Sequence, residues 1–312
     1  MKLVLGTMTF SDQVDESSSL EMIKAFGAGG NRELDTAFQY NKGKTESLLG
    51  KIFSNNPDLD YAIATKVNPW DGEGLKPAEV RRQFEICLDR LQMESVDLLY
   101  LHSPDLDTPV EQSLEALFGY FEQSKFKRLG LSNFAAWQVA EAVEICRHRG
   151  WMVPSVYQGL YNALNRDVER ELLPCLRNYG IRFYAYNPLA GGMLTGKHGS
   201  YDMTPQAGRF DNNQSYLTRY WKKDYFDALD GFVESCARFE IRPGEAALRW
   251  MCHHSFMSVE ARDSIILGAS KLDHLKQNLA AVEQGPLPAE ILDALDRGWD
   301  AVKADCFKYF RP

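Results

Sequence analysis

The stretch Leu34-Asp35-Thr36-Ala37-Phe38-Gln39-Tyr40 decides how the rest of the chain is read. It follows the turn formers Gly29, Gly30 and Asn31, and the run Arg32 to Ala37 reads as a short strand. A carboxylate leaves that strand at its end, and a phenol follows five residues later on the connecting loop. The next two apolar runs finish in the same way. Tyr61 to Lys66 ends on an ammonium, and Val96 to His102 ends on an imidazole. In a parallel barrel the C-terminal strand ends share one rim, so Asp35, Tyr40, Lys66 and His102 can converge on one pocket.

The alternation continues on both sides of this stretch. Leu3 to Gly6 reads as the first strand and Ser17 to Ala28 as an amphipathic helix. Pro77 opens a helix through Val80, Phe84, Cys87, Leu88 and Leu91, apolar at three- and four-residue steps. Further strands are expected at Phe126–Leu131, Ser155–Gln158, Ile181–Tyr186 and Ser264–Gly268, with helices between them. Gly191 to Trp221 breaks the rhythm. A loop of that length on a barrel is usually functional. The pattern predicts an α/β fold, a single (β/α)8 TIM barrel over residues 1–312, with long loops on the C-terminal face and an added C-terminal helix.

Composition narrows the function. At 312 residues and 45% hydrophobic content the chain can bury a large core. A formal net charge of -8 argues against a nucleic-acid binder, which needs a basic face. No apolar run approaches the ~20 residues of a membrane span. Met1 leads straight into an apolar strand, so no targeting segment is read and a cytoplasmic location is expected. Cys87, Cys146, Cys175, Cys236, Cys252 and Cys306 form no Cys-x-x-Cys pair and read as reduced thiols. No metal site is expected: His253 and His254 are adjacent, and His-Glu-x-x-His is absent.

The four rim residues suit proton transfer to a carbonyl oxygen. A phenol of pKa ~10 is a poor acid at neutral pH, and a nearby ammonium lowers that value. Lys66 needs a counter-charge in a closing pocket, and Asp35 supplies it. His102 can hydrogen-bond the same oxygen. None of the four can provide hydride, so a cofactor is required. No Gly-x-Gly-x-x-Gly follows the first strand. Gly191-Gly192-Met193-Leu194-Thr195-Gly196-Lys197 has P-loop spacing up to the lysine, but His198 follows instead of Ser or Thr. Such a turn still suits a pyrophosphate.

Asp-Thr-Ala-x-x-Tyr at 35–40, Ala64-Thr65-Lys66 and Leu99-Tyr100-Leu101-His102-Ser103-Pro104-Asp105 resemble the catalytic motifs of the aldo-keto reductases. Lys66-Val67-Asn68-Pro69-Trp70-Asp71-Gly72, Tyr184 to Gly192 and Ala247 to Met251 are similar to the aflatoxin-aldehyde and succinic-semialdehyde reductase branch. The resemblance implies NADPH-dependent reduction of small, dicarbonyl or carboxylate-bearing aldehydes, succinic semialdehyde among them. Tyr40 would be the general acid, with Asp35, Lys66 and His102 around it. Asn187, Pro188, Leu189, Ala190, Gly191, Gly192, Leu194, Gly196 and Lys197 would wrap the cofactor pyrophosphate. Asp35, Ser132, Asn133 and Gln158 would hold the nicotinamide end. Arg209, Ser270, Lys271, His274, Gln277 and Asn278 would surround the adenosine end. His102, Tyr216, Arg219 and Arg311 would bind substrate. Many family members begin with a hairpin that plugs the barrel floor; here that plug is expected to be absent or very short. Homodimers are common among the reductases it resembles. Two other readings remain open: a cofactor-binding regulatory subunit like the potassium-channel β-subunits, and an isomerase or lyase using Lys66 as a Schiff base. For Ser132 the alternative is a helix cap.

Overall fold

The computed structural model describes residues 1–203, 208–211 and 213–311. Part of the loop expected between Gly191 and Trp221, and Pro312 of the C-terminal tail, lie outside the described residues. Eight strands carry the barrel: β1 (Lys2–Gly6), β2 (Glu33–Asp35), β3 (Ala62–Val67), β4 (Val96–Leu101), β5 (Phe126–Ser132), β6 (Val156–Leu160), β7 (Arg182–Tyr186) and β8 (Ser264–Gly268). They pair in parallel in sequence order, and β8 pairs back onto β1 to close the barrel. Six helices fill the crossovers up to β7: α1 (Glu16–Ala28), α2 (Lys44–Asn55), α3 (Pro77–Leu91), α4 (Val110–Glu122), α5 (Ala136–Arg149) and α6 (Leu172–Tyr179). Then come α7 (Gln214–Tyr220), α8 (Lys223–Arg238) and α9 (Pro243–His253) before β8, and α10 (Leu272–Val282) and the added α11 (Ala289–Val302) after it. No described helix is long and apolar enough to cross a membrane.

Strand alternation divides the core in two. Val4, Ala64, Leu98, Tyr100, Val156, Tyr184 and Ile266 fill the barrel interior. The intervening residues, Leu5, Ile63, Leu99 and Ile265 among them, face the helices. Val80, Phe84, Cys87 and Leu91 of α3 are fully buried on that side. Fully burying one such large side chain is worth roughly 1.5–3 kcal/mol, against a net stability of about 5–15 kcal/mol for a domain.

The two barrel ends differ. At the floor, Glu33 is buried and accepts from Arg128 Nη2 at 3.1 Å, Lys2 Nζ at 3.2 Å and Tyr184 Oη at 3.3 Å. At the rim β1, β7 and β8 end where their apolar runs suggest, while β2 to β6 stop one or two residues from there. β2 ends at Asp35, because beyond it the chain follows β3 through single bonds, Thr36 N to Ala64 O and Phe38 N to Lys66 O. Lys66 is the penultimate residue of β3, and His102 lies just past β4 with its N–H on Val67 O at 2.8 Å.

The Gly191–Trp221 stretch, read as a loop, contains α7. Asn213 caps it with a bond from Tyr216 N at 3.3 Å, and the helix buries Tyr216, Arg219 and Tyr220 at three- and four-residue spacing. Seven residues are too few for helical periodicity to stand out in the sequence.

Candidate active site

Lys66 is the centre of the rim cluster. Its ammonium has no solvent exposure and donates to Asp35 Oδ2 at 2.7 Å, Thr36 O at 2.7 Å and Tyr40 Oη at 3.4 Å. All three N–H donors are thus directed at protein oxygens. The other carboxylate oxygen, Asp35 Oδ1, accepts from Gln158 Nε2 at 2.8 Å across the barrel. The His102 ring stands edge-on to Tyr40, with centroids 6.1 Å apart, and to Trp70, at 5.2 Å. Its Nδ1 is buried without a partner. Burial, then the positive charges of Lys66 and Arg311, push the imidazole well below its ordinary pKa, so it is neutral.

The electrostatics correct one expectation. Lys66 does not lower the phenol: Tyr40 is raised well above its ordinary pKa, first by burial and then by Asp35. The reason is the close pair. Asp35 lies 2.7 Å from Lys66, so its carboxylate charge reaches the phenol along with the ammonium, and it adds to the larger cost of desolvation. Burial raises Asp35 and lowers Lys66, each partly restored by the other. Tyr40 therefore keeps its proton through the neutral range.

Asp35, Tyr40 and His102 line a cavity of about 660 Å³; Lys66 lies just behind its wall. Ser132, Asn133 and Gln158 line the same end. Asn133 is braced by protein partners: Nδ2 donates to His102 O and Ser132 Oγ, and Oδ1 accepts from Tyr186 Oη. Ser132 is not a helix cap; α5 starts later, and Gln138 Oε1 accepts from Ala135 N at 2.9 Å.

The glycine-rich segment forms another wall. Asn187, Ala190, Gly191, Gly192 and Gly196 all have positive φ. At Gly192, φ is 104°, and an added Cβ would stand 3.5 Å from Lys197 Nζ, so the backbone and the ammonium approach each other without obstruction. Such a turn can cradle phosphate oxygens. Asn187, Pro188, Leu189, Gly191, Gly192 and Lys197 line the cavity, as does Thr195. Ala190 and Leu194 turn into the core instead, and Gly196 is not on the wall. Ser270, just after β8, and His274, Gln277 and Asn278 of α10 line the cavity, as does Arg209, whose guanidinium lies 5.6 Å over the Tyr216 ring. Lys271 is exposed and stays off the wall. This donor set fits a phosphate-bearing dinucleotide. Among the described residues no group of three or more His, Cys, Asp or Glu side chains could hold a metal ion.

Tyr216, Arg219 and Arg311 gather beside His102. Arg219 is buried, with its guanidinium 4.5 Å from the Phe307 ring and its Nε unpartnered. Arg311 lies 4.3 Å over the Trp70 ring, and its backbone N–H donates to Asn133 O at 3.0 Å. Tyr309 secures the tail between Ala136 N and Glu171 Oε2, both at 3.1 Å. Among the lining residues that escaped the sequence reading are Trp70, Tyr186, Arg242 and Glu245. Trp70 and Tyr186 stood in quoted motifs. Arg242 had only its place before Pro243, at the start of α9, to mark it.

The chain belongs to the aldo/keto reductase family, which matches residues 2–300, and it is an oxidoreductase. It is 47% identical to mouse (Mus musculus) aflatoxin B1 aldehyde reductase member 2, over 99% of this chain and 87% of that protein. It is 44% identical to human (Homo sapiens) aflatoxin B1 aldehyde reductase member 4, over 98% of this chain and 96% of that protein.

Proposed function

We propose that this protein reduces aldehydes to alcohols with NADPH, and that Tyr40 gives the proton. The observation that carries this reading is the Lys66 ammonium, held between Asp35 and Tyr40 beside a neutral His102. The dihydronicotinamide supplies hydride, since no side chain here can. As negative charge grows on the carbonyl oxygen, Tyr40 Oη delivers its proton and His102 offers a second hydrogen bond. Lys66 orients the phenol, and Asp35 keeps the ammonium charged. Asn187, Pro188, Leu189, Gly191, Gly192, Thr195 and Lys197 would hold the pyrophosphate of the bound cofactor, and Ser132 and Gln158 its carboxamide. The names of the relatives, aflatoxin B1 aldehyde reductases, support an aldehyde as substrate. NADPH oxidation against an aldehyde panel, with NADH as control, tests the reading; no aldehyde-dependent oxidation would overturn it.

Arg209 and Arg242 are cations on the wall that the α10 residues also line, so NADPH should bind more tightly than NADH, through its 2′-phosphate. The preference should weaken as salt rises and shrink in Arg209→Ala. Titrations at low and high salt decide it. Equal affinity for both cofactors, unchanged in Arg209→Ala and Lys271→Ala, would remove the 2′-phosphate from this wall.

The substrate class follows from two guanidiniums. Burial lowers Arg311, with the Arg219 charge a smaller contribution, and no salt bridge joins either guanidinium to a carboxylate among the described residues. A substrate carboxylate would fill that gap with bidentate hydrogen bonds. Losing one charged hydrogen bond is worth ~1.5–3 kcal/mol, roughly tenfold to over a hundredfold in affinity. Arg311→Ala and Arg219→Ala should raise KM for succinic semialdehyde by that factor. They should leave 4-nitrobenzaldehyde nearly untouched. An equal loss on both substrates would mean that the tail matters for closure and not for reading the carboxylate.

A further inference from the structure

Behind the rim cluster, on the helix side of β3, lies a second charged pair. Glu46 of α2 has no solvent exposure. Its Oε1 accepts from Thr65 Oγ1 at 2.6 Å, and its Oε2 from Arg90 Nη1 of α3 at 3.2 Å. The same Arg90 nitrogen donates to Phe38 O at 2.9 Å, and the guanidinium lies 4.5 Å over the Phe38 ring. Thr65 is the neighbour of Lys66 and points to the opposite face of the strand. Phe38 is two residues before Tyr40. The pair therefore holds the backbone on both sides of the 3.4 Å Lys66–Tyr40 contact.

The turn after Tyr40 needs such support. Asn41 (φ 49°), Lys42 (φ 58°) and Gly43 (φ 85°) are left-handed in succession. For a residue other than glycine that conformation costs of order 1–3 kcal/mol and persists only when the surroundings impose it. Asn41 Nδ2 is fastened to Met8 O at 3.1 Å and Phe10 O at 2.7 Å. On the other side the turn rests on Arg90: a Cβ added to Gly43 would stand 2.2 Å from Arg90 Cζ. A buried ion pair contributes little net stability compared with an apolar packing of the same volume. Its bonds to the Phe38 carbonyl and to the Thr65 hydroxyl are what distinguish this one.

We propose that Glu46 and Arg90 are positioning residues, which set the geometry between the Tyr40 hydroxyl and the Lys66 ammonium and thereby turnover, not ligand affinity. This rests on the reading of Tyr40 as proton donor. Displacing a reacting group by about 1 Å lowers rate by up to ~10²-fold. Glu46→Gln keeps the shape and an acceptor for Thr65 but weakens the hold on Arg90. Arg90→Met removes the bond to Phe38 O, Arg90→Lys restores part of it, and Gly43→Ala pushes the guanidinium from the far side.

The test is steady-state kinetics per folded enzyme, NADPH titration and thermal melts on these variants, with Tyr40→Phe in parallel. The expected result for Glu46→Gln, Arg90→Met and Gly43→Ala is a fall in kcat of about tenfold to a hundredfold, with KM and cofactor affinity retained. Arg90→Lys should recover part of the loss. The pH profile adds a readout that mere structural support would not move. Lys66 is faced by Asp35, Tyr40, Tyr100 and His102, and by Glu46, whose charge favours the ammonium. Without that charge Lys66 loses its proton at lower pH, so the alkaline fall of kcat in Glu46→Gln should move to lower pH. Wild-type kcat and an unshifted profile in Glu46→Gln and Gly43→Ala, whatever their melting temperatures, would overturn the proposal. That outcome beside an inactive Tyr40→Phe removes the positioning claim alone. An active Tyr40→Phe removes the reading beneath it as well.

Discussion

Tyr40→Phe is expected to lower turnover by ~10² or more while NADPH binding is retained. The ring stays, so its edge-on packing with His102 at 6.1 Å is kept, and only the hydroxyl 3.4 Å from Lys66 Nζ is lost. The size of the effect follows from the direction of the phenol's pKa. Burial and Asp35 hold Tyr40 above its ordinary value, so the proton is present wherever the enzyme is folded near neutrality. An alkoxide is more basic than a phenolate even so, and the transfer remains downhill once hydride has arrived. Wild-type reduction should therefore be flat through the neutral range and fall only on the alkaline side. That limb belongs to Tyr40 and Lys66 together, because the two share a hydrogen bond. Stopped-flow or steady-state NADPH oxidation checks both points. Near-normal turnover in Tyr40→Phe would take Tyr40 out of the proton-transfer role.

Lys66→Met should abolish most reduction and also weaken the fold. Methionine matches the stem length but leaves the Asp35 carboxylate, only 3% exposed, without its cation. Removing one partner of a buried pair costs about 3–5 kcal/mol. Asp35 can limit that loss by taking up a proton, since its pKa is already raised by burial and Lys66 is what lowers it. A carboxyl raised in the folded state binds its proton more readily than in the unfolded chain. Stability is therefore lost as pH rises from the unfolded value towards the folded one. The melting-temperature deficit of Lys66→Met should be smallest at acid pH and grow towards neutrality, whereas the activity loss should persist. A variant with wild-type melting at every pH would show that the Asp35–Lys66 bond does not hold the rim. Trapping a Schiff base on Lys66 in the parent enzyme would replace the mechanism altogether. Against that stand the ammonium's lack of exposure and its three protein acceptors.

The barrel and its rim residues were legible because they rest on local signals. An apolar run ending in a polar residue marks a strand end, and eight such runs with helices between them define the closure. The tail carries a local signal of its own, aromatic residues at 307, 309 and 310, of which Tyr309 is buried. What escaped depends on space and not on sequence. Arg242 reaches the cavity only because α9 begins at its edge. The resemblance set Lys271 beside the adenosine end, but it is the residue just before α10, exposed and off the wall. The direction of Tyr40's pKa needed the fold, since desolvation and the nearby Asp35 charge outweigh any lowering by an ammonium. Glu46 and Arg90, 44 residues apart in sequence, had no motif to join them.

The bond from Gln158 to Asp35 joins residues separated by 123 positions, on strands with β3, β4 and β5 between them. Lys66 and Asp35 sit on neighbouring strands and could meet in an open, half-formed sheet. Gln158 cannot reach Asp35 until the sheet has curled, and β8 must still find β1, joining Ser264 to Lys2. Contacts of such sequence separation form late and slowly. The complete polar cluster therefore exists only in the finished cylinder.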